Sequence, residues 1–175
     1  MERWESFYVI IGSAGAALIG IEFVVITLVA NLPERPPSNT ISAFASPTVV
    51  HFASALVLSA VMSAPWRSSA VPALALLVAG LGGVAYAAVV IQRIRHQTQY
   101  TPVWQDWLWY AVLPSAAYAV LALAAATLRM DPPLASVGIA ASALGLLLIG
   151  IHNAWDSVTH IVFGMDEDAV KRDQP

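Results

Sequence analysis

The amino-acid sequence predicts an all-α polytopic membrane protein, a bundle of five transmembrane helices. Hydrophobic residues make up 58% of the 175 residues and charged residues only 11%, whereas about a quarter of the residues of a soluble domain are charged. The mean hydropathy of the chain is +0.70. Five apolar segments approach or exceed the ~20 residues with which a helix crosses a bilayer. We therefore predict a single bundle over residues 1–163 and a charged tail over residues 164–175.

The predicted spans cover residues 8–30, 47–64, 70–92, 107–128 and 134–163. The first begins the chain as a signal peptide would, but its apolar run is long, Glu22 interrupts it and no small-residue cleavage site follows, which favours a retained helix. Proline, serine and asparagine in residues 31–46 indicate a loop. Ser46-Pro47 has the pattern of an N-cap followed by a proline at the first helical position. Pro114 predicts a kink in the fourth span.

Composition also bears on partners and chemistry. The absence of cysteine excludes disulfides, thiolate metal sites and covalent c-type haem attachment. A net charge of -3 argues against nucleic acid as a partner. The expected partner is the lipid bilayer. A homo-oligomer is expected as well, since five small helices seldom enclose a pore alone.

Five spans place the two termini on opposite sides of the membrane, so the basic residues can be divided by side. The N-terminal side has Arg3, Arg67 and Arg129, and the other side has Arg35, Arg93, Arg95, Lys171 and Arg172. Basic residues are enriched in cytoplasmic loops. This bias predicts a cell (inner) membrane protein with a cytoplasmic C-terminus.

The polar residues of the spans fall in one half of the membrane. At ~1.5 Å per residue, Glu22 lies about 12 Å before the end of the first span and His51 about 6 Å into the second. The same half holds Gln92, Arg93, Asp106, Trp107, Tyr110, His152, Asn153 and Asp156. We call this the polar half and the other, rich in alanine, glycine, leucine and valine, the apolar half. The pattern predicts a polar pocket that opens to one side only.

Small residues repeat at four-residue spacing in three spans, which allows helices to approach closely in lipid. The rows are Gly12, Ala16 and Gly20; Ala79, Gly83 and Ala87; and Ala141 and Gly145. They predict seams between helices, unless they are the background of an alanine-rich membrane protein.

The last span carries the densest group of polar side chains. On a helix, His152, Asn153, Asp156 and His160 share one face. The spacing of His152 and Asp156 lets two side chains grip one metal ion. With His51 they form a candidate set of metal ligands, which Glu22 could approach, although a single pair is a weak signal. His160 is expected at the solvated interface. The aromatic residues where the fourth span enters the membrane are expected in an interfacial belt, namely Trp104, Trp107, Trp109 and Tyr110.

Glu22 has two interpretations, since an intramembrane carboxylate must be paired, protonated or wetted. It either forms a structural ion pair with Arg93 or contributes to a proton or cation site. His51 either donates a hydrogen bond to a carbonyl or binds the same ligand. The candidate binding residues are Glu22, His51, Arg93, His152, Asn153 and Asp156.

Two short stretches resemble a known family. Gly12-Ser13-Ala14 with Leu18 and Gly20 near the start, and residues 153–156 (NAWD) near the end, are similar to a family of small bacterial multi-pass membrane proteins. The resemblance covers mainly these two ends and implies a bacterial, polytopic protein. It carries over no activity and no residue role.

Three functions fit the sequence. A channel-like or carrier-like protein would bind or conduct a cation or proton in the polar half. A membrane enzyme would use a metal, or a b-type haem held by His51 and His152. An accessory subunit would have no chemistry of its own.

Overall fold

A computed structural model describes residues 4–30, 38–95 and 103–172, with the backbone alone for residues 30, 38–45 and 160–172. Every regular element in these ranges is helical. The helices are α1 (Glu5–Ala30), α2 (Ser38–Ser63), α3 (Ala70–Arg95), α4 (Trp104–Trp107), a π-helical turn (Leu108–Val112), α5 (Leu113–Thr127) and α6 (Pro132–Arg172).

Five of the described stretches are long and apolar enough to cross a membrane. They are Glu5–Val29, Ser46–Ser63, Ala70–Arg95, Trp104–Thr127 and Pro132–Thr159. The fourth combines α4, the π-helical turn and α5. In lipid the backbone must satisfy its own hydrogen bonds, which explains why each apolar segment forms a helix. The prediction of an all-α protein with five transmembrane helices is confirmed.

The two largest differences from the predicted helix boundaries are the start of α2 and the end of α6. α2 begins at Ser38, so Pro47 lies inside the helix and not at its first position. A proline removes one intrahelical hydrogen bond, but membrane helices tolerate this when neighbouring groups compensate. α6 continues beyond residue 163 to Arg172, because residues 165–172 contain neither proline nor glycine to stop it.

The backbone irregularity predicted from Pro114 takes the form of the π-helical turn. Pro114 has no N–H to donate to the carbonyl of Tyr110, and its ring would crowd that carbonyl in a regular α-helix. The turn widens the helix just before the proline, and the N–H of Leu113 bonds to the carbonyl of Leu108, five residues back. The widened turn includes Tyr110, which faces the interior.

Four spans form a ring and the fifth packs outside it. α2 contacts α6, α6 contacts α5, α5 contacts α3, and α3 contacts α2, while α1 lies against α2 and α6. The short connections after α2 and α5 predict the α2–α3 and α5–α6 contacts. Half of the α6 span is buried, against 22% of the α1 span, so α6 is the central helix.

Glycines mark the close contacts, but only some are those predicted. Gly12 and Gly15 of α1 touch α2, whereas Gly20 has no neighbour within 4 Å and Ala16 is exposed. Ala141 is also exposed. Gly145 has open space around its Cα, so the predicted rows in α1 and α6 are wrong beyond Gly12. Small residues on a lipid-facing side cost little, and spacing alone does not tell the two faces apart.

The seam predicted in α3 lies on its buried side. Gly83 and Ala87 are buried and Ala79 is partly buried. Gly80 joins them and lies against the backbone of Ala122 in α5. This contact brings α3 and α5 together in the apolar half.

Candidate functional site

The buried polar residues whose side chains the structure describes concentrate in the polar half. They are Glu22, Thr48, His51, Ser59, Asp106, Ser142 and Asn153. All except Ser59 and Ser142 lie in that half. A polar group buried in a membrane bundle requires a partner, so the partners of these residues define the site.

His51 belongs to a chain of hydrogen bonds that joins α2 to α5. Its Nδ1 lies 3.1 Å from the Tyr118 hydroxyl, and that hydroxyl lies 2.9 Å from Oγ of Ser54. Ser54 donates to the carbonyl of Val50, one turn back, at 2.8 Å. His51 and Tyr118 are each 2% exposed. One of the two interpretations of His51 from the sequence was a hydrogen bond to a carbonyl, and the structure provides a tyrosine hydroxyl instead.

The direction of these hydrogen bonds shows that Nδ1 of His51 carries a hydrogen. A serine hydroxyl has one hydrogen, and that of Ser54 goes to Val50, so Tyr118 must donate to Ser54. The tyrosine oxygen then accepts from Nδ1–H of His51. When the ring is neutral, Nε2 has a lone pair, and this atom is buried without a hydrogen-bond partner.

Tyr118 reaches α2 because α3 provides room for its ring. A Cβ atom on Gly83 would overlap that ring. Because glycine lacks this atom, the tyrosine lies across α3 with its hydroxyl beside His51. Tyr118 was not among the residues predicted for the site. Its signal was a tyrosine at the middle of a span made mostly of alanine and leucine.

Asn153 also has an unsatisfied side chain. It is 0% exposed, and neither Oδ1 nor Nδ2 of its amide has a hydrogen-bond partner. One turn earlier on α6, Gly150 lies against the Phe52 ring of α2, which places Asn153 near the turn of α2 that carries His51. Its backbone carbonyl lies 3.4 Å from the Tyr110 hydroxyl, so the fourth span also contacts α6 at Asn153.

Glu22 is 7% exposed, in the polar half of α1. It lies two turns, about 10 Å, beyond Gly15, which touches the Phe52 carbonyl of α2. No hydrogen bond or ion pair joins Glu22 to another described residue. Arg93 is exposed at the end of α3, a helix that packs on α5 and α2. The structure therefore does not bring Arg93 to Glu22.

His152 and Asp156 lie near the membrane interface. The His152 ring stacks on Trp109, with ring centroids 3.7 Å apart and planes 18° apart. Asp156 is exposed. Among the described residues no three side chains of histidine, aspartate or glutamate are close enough to hold one metal ion, so His51, His152 and Asp156 are not brought together. The side chain of His160 lies outside the described residues.

Tyr110 and Asp106 have structural roles that spacing did not indicate. The Tyr110 hydroxyl lies 3.5 Å from Oγ of Ser157, so this tyrosine joins the fourth span to α6 rather than the interfacial belt. Asp106 accepts a hydrogen bond from the backbone N–H of Val103 at 3.0 Å, which fixes the start of α4. Arg95 lies over Trp107, 5.9 Å from the ring centre, as expected at a membrane interface.

Comparison with protein family models, with curated proteins and with solved structures finds no match to this chain. The resemblance to small bacterial multi-pass proteins stays a prediction.

Proposed function

We propose that this integral membrane protein binds a small cation, H⁺ included, in its polar half and conducts it as a channel or carrier. The observation that carries the proposal is that an imidazole and an amide of the polar half have buried atoms without a hydrogen-bond partner, namely Nε2 of His51 and both amide atoms of Asn153. Leaving a buried polar group unpaired costs ~1–3 kcal/mol. In native proteins such a group calls for a water or an ion.

The chemistry of these atoms suits a cation. Nε2 of His51 offers a lone pair held in place by the bonds through Tyr118 and Ser54. The amide oxygen of Asn153 is an acceptor, and its N–H₂ group can hold a water that completes the shell. Glu22 is the buried acidic residue of the polar half on α1 and would supply compensating negative charge. Because imidazole and carboxylate suit protons and metal ions alike, the assay must distinguish them.

Charge and size also indicate the setting of the protein. The bias of basic residues supports an inner-membrane protein whose C-terminus and polar half face the cytoplasm. The small number of helices supports a homo-oligomer. A reporter fused after Pro175 should be active in the cytoplasm, and crosslinking in the membrane should yield a defined multiple of the 18.6 kDa chain.

Flux measurements in liposomes test the function. Vesicles carrying the purified protein are loaded with a pH-sensitive dye, and in parallel runs with dyes for K⁺ and for Zn²⁺. We expect one of these ions to enter faster than in protein-free vesicles, and His51→Leu or Asn153→Leu to abolish the difference. Ser142→Ala is the matched control, because Ser142 is a buried polar residue of the apolar half whose hydroxyl bonds to its own helix at 2.9 Å. Parent vesicles as tight as empty ones to all three ions would refute conduction.

The charge of Glu22 needs a separate test. Glu22→Gln keeps the size of the side chain and removes its charge, so flux should fall while the melting temperature in detergent stays the same. Glu5→Gln, at an exposed carboxylate of the same helix, should leave both unchanged. If Glu22→Gln conducts like the parent, the carboxylate is not part of the ion site.

A further inference from the structure

Two buried hydroxyl groups in the apolar half take no part in the site described above. Tyr8 of α1 is 2% exposed and Ser59 of α2 is 3% exposed. Neither hydroxyl has a hydrogen-bond partner in the structure. Like His51 and Asn153 they are buried polar groups without a hydrogen-bond partner, but they lie in the other half of the membrane.

The two residues belong to the faces on which α1 and α2 meet. A Cβ atom on Gly12 would approach Cβ of Ser59 to 2.9 Å and its Oγ to 3.5 Å, so Ser59 lies directly against α1 at this glycine. Tyr8 is four residues before Gly12 and shares its face of the helix. One turn of helix, ~5.4 Å, therefore separates the levels of Tyr8 and of the Ser59 contact.

The conformation of Ser59 is the exception among neighbouring hydroxyls. Ser54 donates to the carbonyl of Val50 and Ser142 to that of Gly138, each one turn back along its own helix, the usual arrangement for serine in a helix. Ser59 forms no such bond to Ala55. Its Oγ is close to Gly12 of α1 and remains available to a ligand from outside its own helix.

We infer that Tyr8 and Ser59 hold water between α1 and α2, forming a second polar site, in the apolar half. Each hydroxyl can donate and accept a hydrogen bond, so water bound between the helices can satisfy both. The two side chains offer hydroxyl groups only, with no carboxylate or imidazole, and this suits water and its protonated form as ligands.

A layer of buried apolar residues separates this second polar site from His51. Ser59 and His51 are eight residues, ~12 Å, apart along α2. Phe52, Ala55 and Leu58, all buried, lie between them. We assign to Tyr8 and Ser59 the exit, on the opposite side of this apolar layer, for the cation taken up at His51 and Asn153. This assignment rests on the proposed function, whereas the water site itself does not.

Hydroxyl-radical footprinting with synchrotron X-rays tests the water site, because radicals form from water bound beside a buried side chain. We expect Tyr8 in the reconstituted protein to oxidise several-fold faster than Tyr118. Tyr118 is the matched control, being equally buried at 2% with its hydroxyl occupied by His51 and Ser54. Ser59→Val, which fills the space with apolar atoms, should remove the excess. Equal oxidation of the two tyrosines, or an excess that survives Ser59→Val, would overturn the inference.

Flux through the same vesicles tests the role as an exit. Tyr8→Phe and Ser59→Ala should each lower the flux of the conducted ion several-fold and leave the melting temperature equal to that of the parent. Unchanged flux in both variants, with Tyr8 oxidised as expected, would overturn the exit role and leave the water site standing. Fast oxidation of Tyr8 in a protein that conducts no ion would refute the proposed function alone.

Discussion

The apolar and polar halves of the bundle are held together in different ways. In the apolar half, helices meet through small residues, with Gly80 against Ala122 and Gly138 against Ala124. Towards the polar half, aromatic rings span the gaps, with Phe52 on Gly150.

The polar half also carries the imidazole and the amide whose hydrogen bonds are incomplete, those of His51 and Asn153, whereas the incomplete groups of the apolar half are the hydroxyls of Tyr8 and Ser59. Where backbones pack closely, as Gly80 does against Ala122, there is no room for a ligand, whereas the unpaired atoms of His51 and Asn153 can bind water or an ion. The difference locates the site in the polar half and the barrier in the apolar half. Four sets of substitutions probe this difference, and they follow in order of expected effect on stability.

The largest loss is expected from Gly83→Ala, at the junction of the two halves. The new Cβ overlaps the ring of Tyr118, so α3 and α5 must separate or the tyrosine must leave His51. Overpacking of this kind costs ~1–3 kcal/mol. Gly82→Ala, at the adjacent residue with no neighbour within 4 Å, is the control and should melt like the parent. The measurement is thermal unfolding in detergent, and equal melting temperatures would contradict the tight contact.

A gain in stability is expected from Asn153→Leu. Leucine branches at the same carbon as asparagine and has no amide to leave unpaired, so the substitution should stabilise the protein by ~1–3 kcal/mol while abolishing ion flux. A substitution that raises stability and abolishes activity is typical of a functional site, where residues are retained for function at a cost in stability. Chemical denaturation of the purified protein gives the change. A destabilised Asn153→Leu would mean that the amide bonds within the protein and is not held for a ligand.

A smaller loss is expected from Tyr118→Phe, which removes the hydroxyl between His51 and Ser54 and keeps the ring on Gly83. Loss of a hydrogen bond costs ~1 kcal/mol, and ion flux should also fall because Nδ1 of His51 is no longer held. Tyr86→Phe is the comparison, since the Tyr86 hydroxyl has no hydrogen-bond partner and its removal breaks no hydrogen bond, so this variant should lose no stability. Comparing flux and melting temperature in both variants separates a positioning role from a packing role. Unchanged flux in Tyr118→Phe would show that the site does not depend on this tyrosine.

The smallest effect is expected at the interface, from the stack of Trp109 on His152. An aromatic pair contributes ~0.5–1.5 kcal/mol beyond its buried area. A double-mutant cycle with Trp109→Leu and His152→Leu should give a coupling energy in the lower part of that range. Trp155→Leu, at a side chain that is 71% exposed, should show no coupling to His152→Leu. A coupling near zero for the stacked pair would place His152 among solvated interface residues.

The amino-acid sequence alone specifies the fold class and the depth of each polar residue. An apolar run of membrane length has no alternative to a helix, because lipid offers the backbone no hydrogen bonds. Residue spacing then sets height along the helix, so the sequence is sufficient to assign Glu22, His51 and Asn153 to one half of the membrane. Pro114 likewise predicts an irregular turn, since a missing N–H has the same consequence in any fold.

The rotation of each helix about its own axis depends instead on how the helices pack. Lipid and protein interior are equally apolar, so the outward side of a membrane helix resembles its inward side in sequence. This is why Gly20 and Gly145 were assigned to seams and lie in open space. It is also why Tyr118 was missed, since its role depends on Gly83 of another helix. The pairing of His51 with Tyr118 requires the rotations of both helices at once, and nothing local to either residue specifies them.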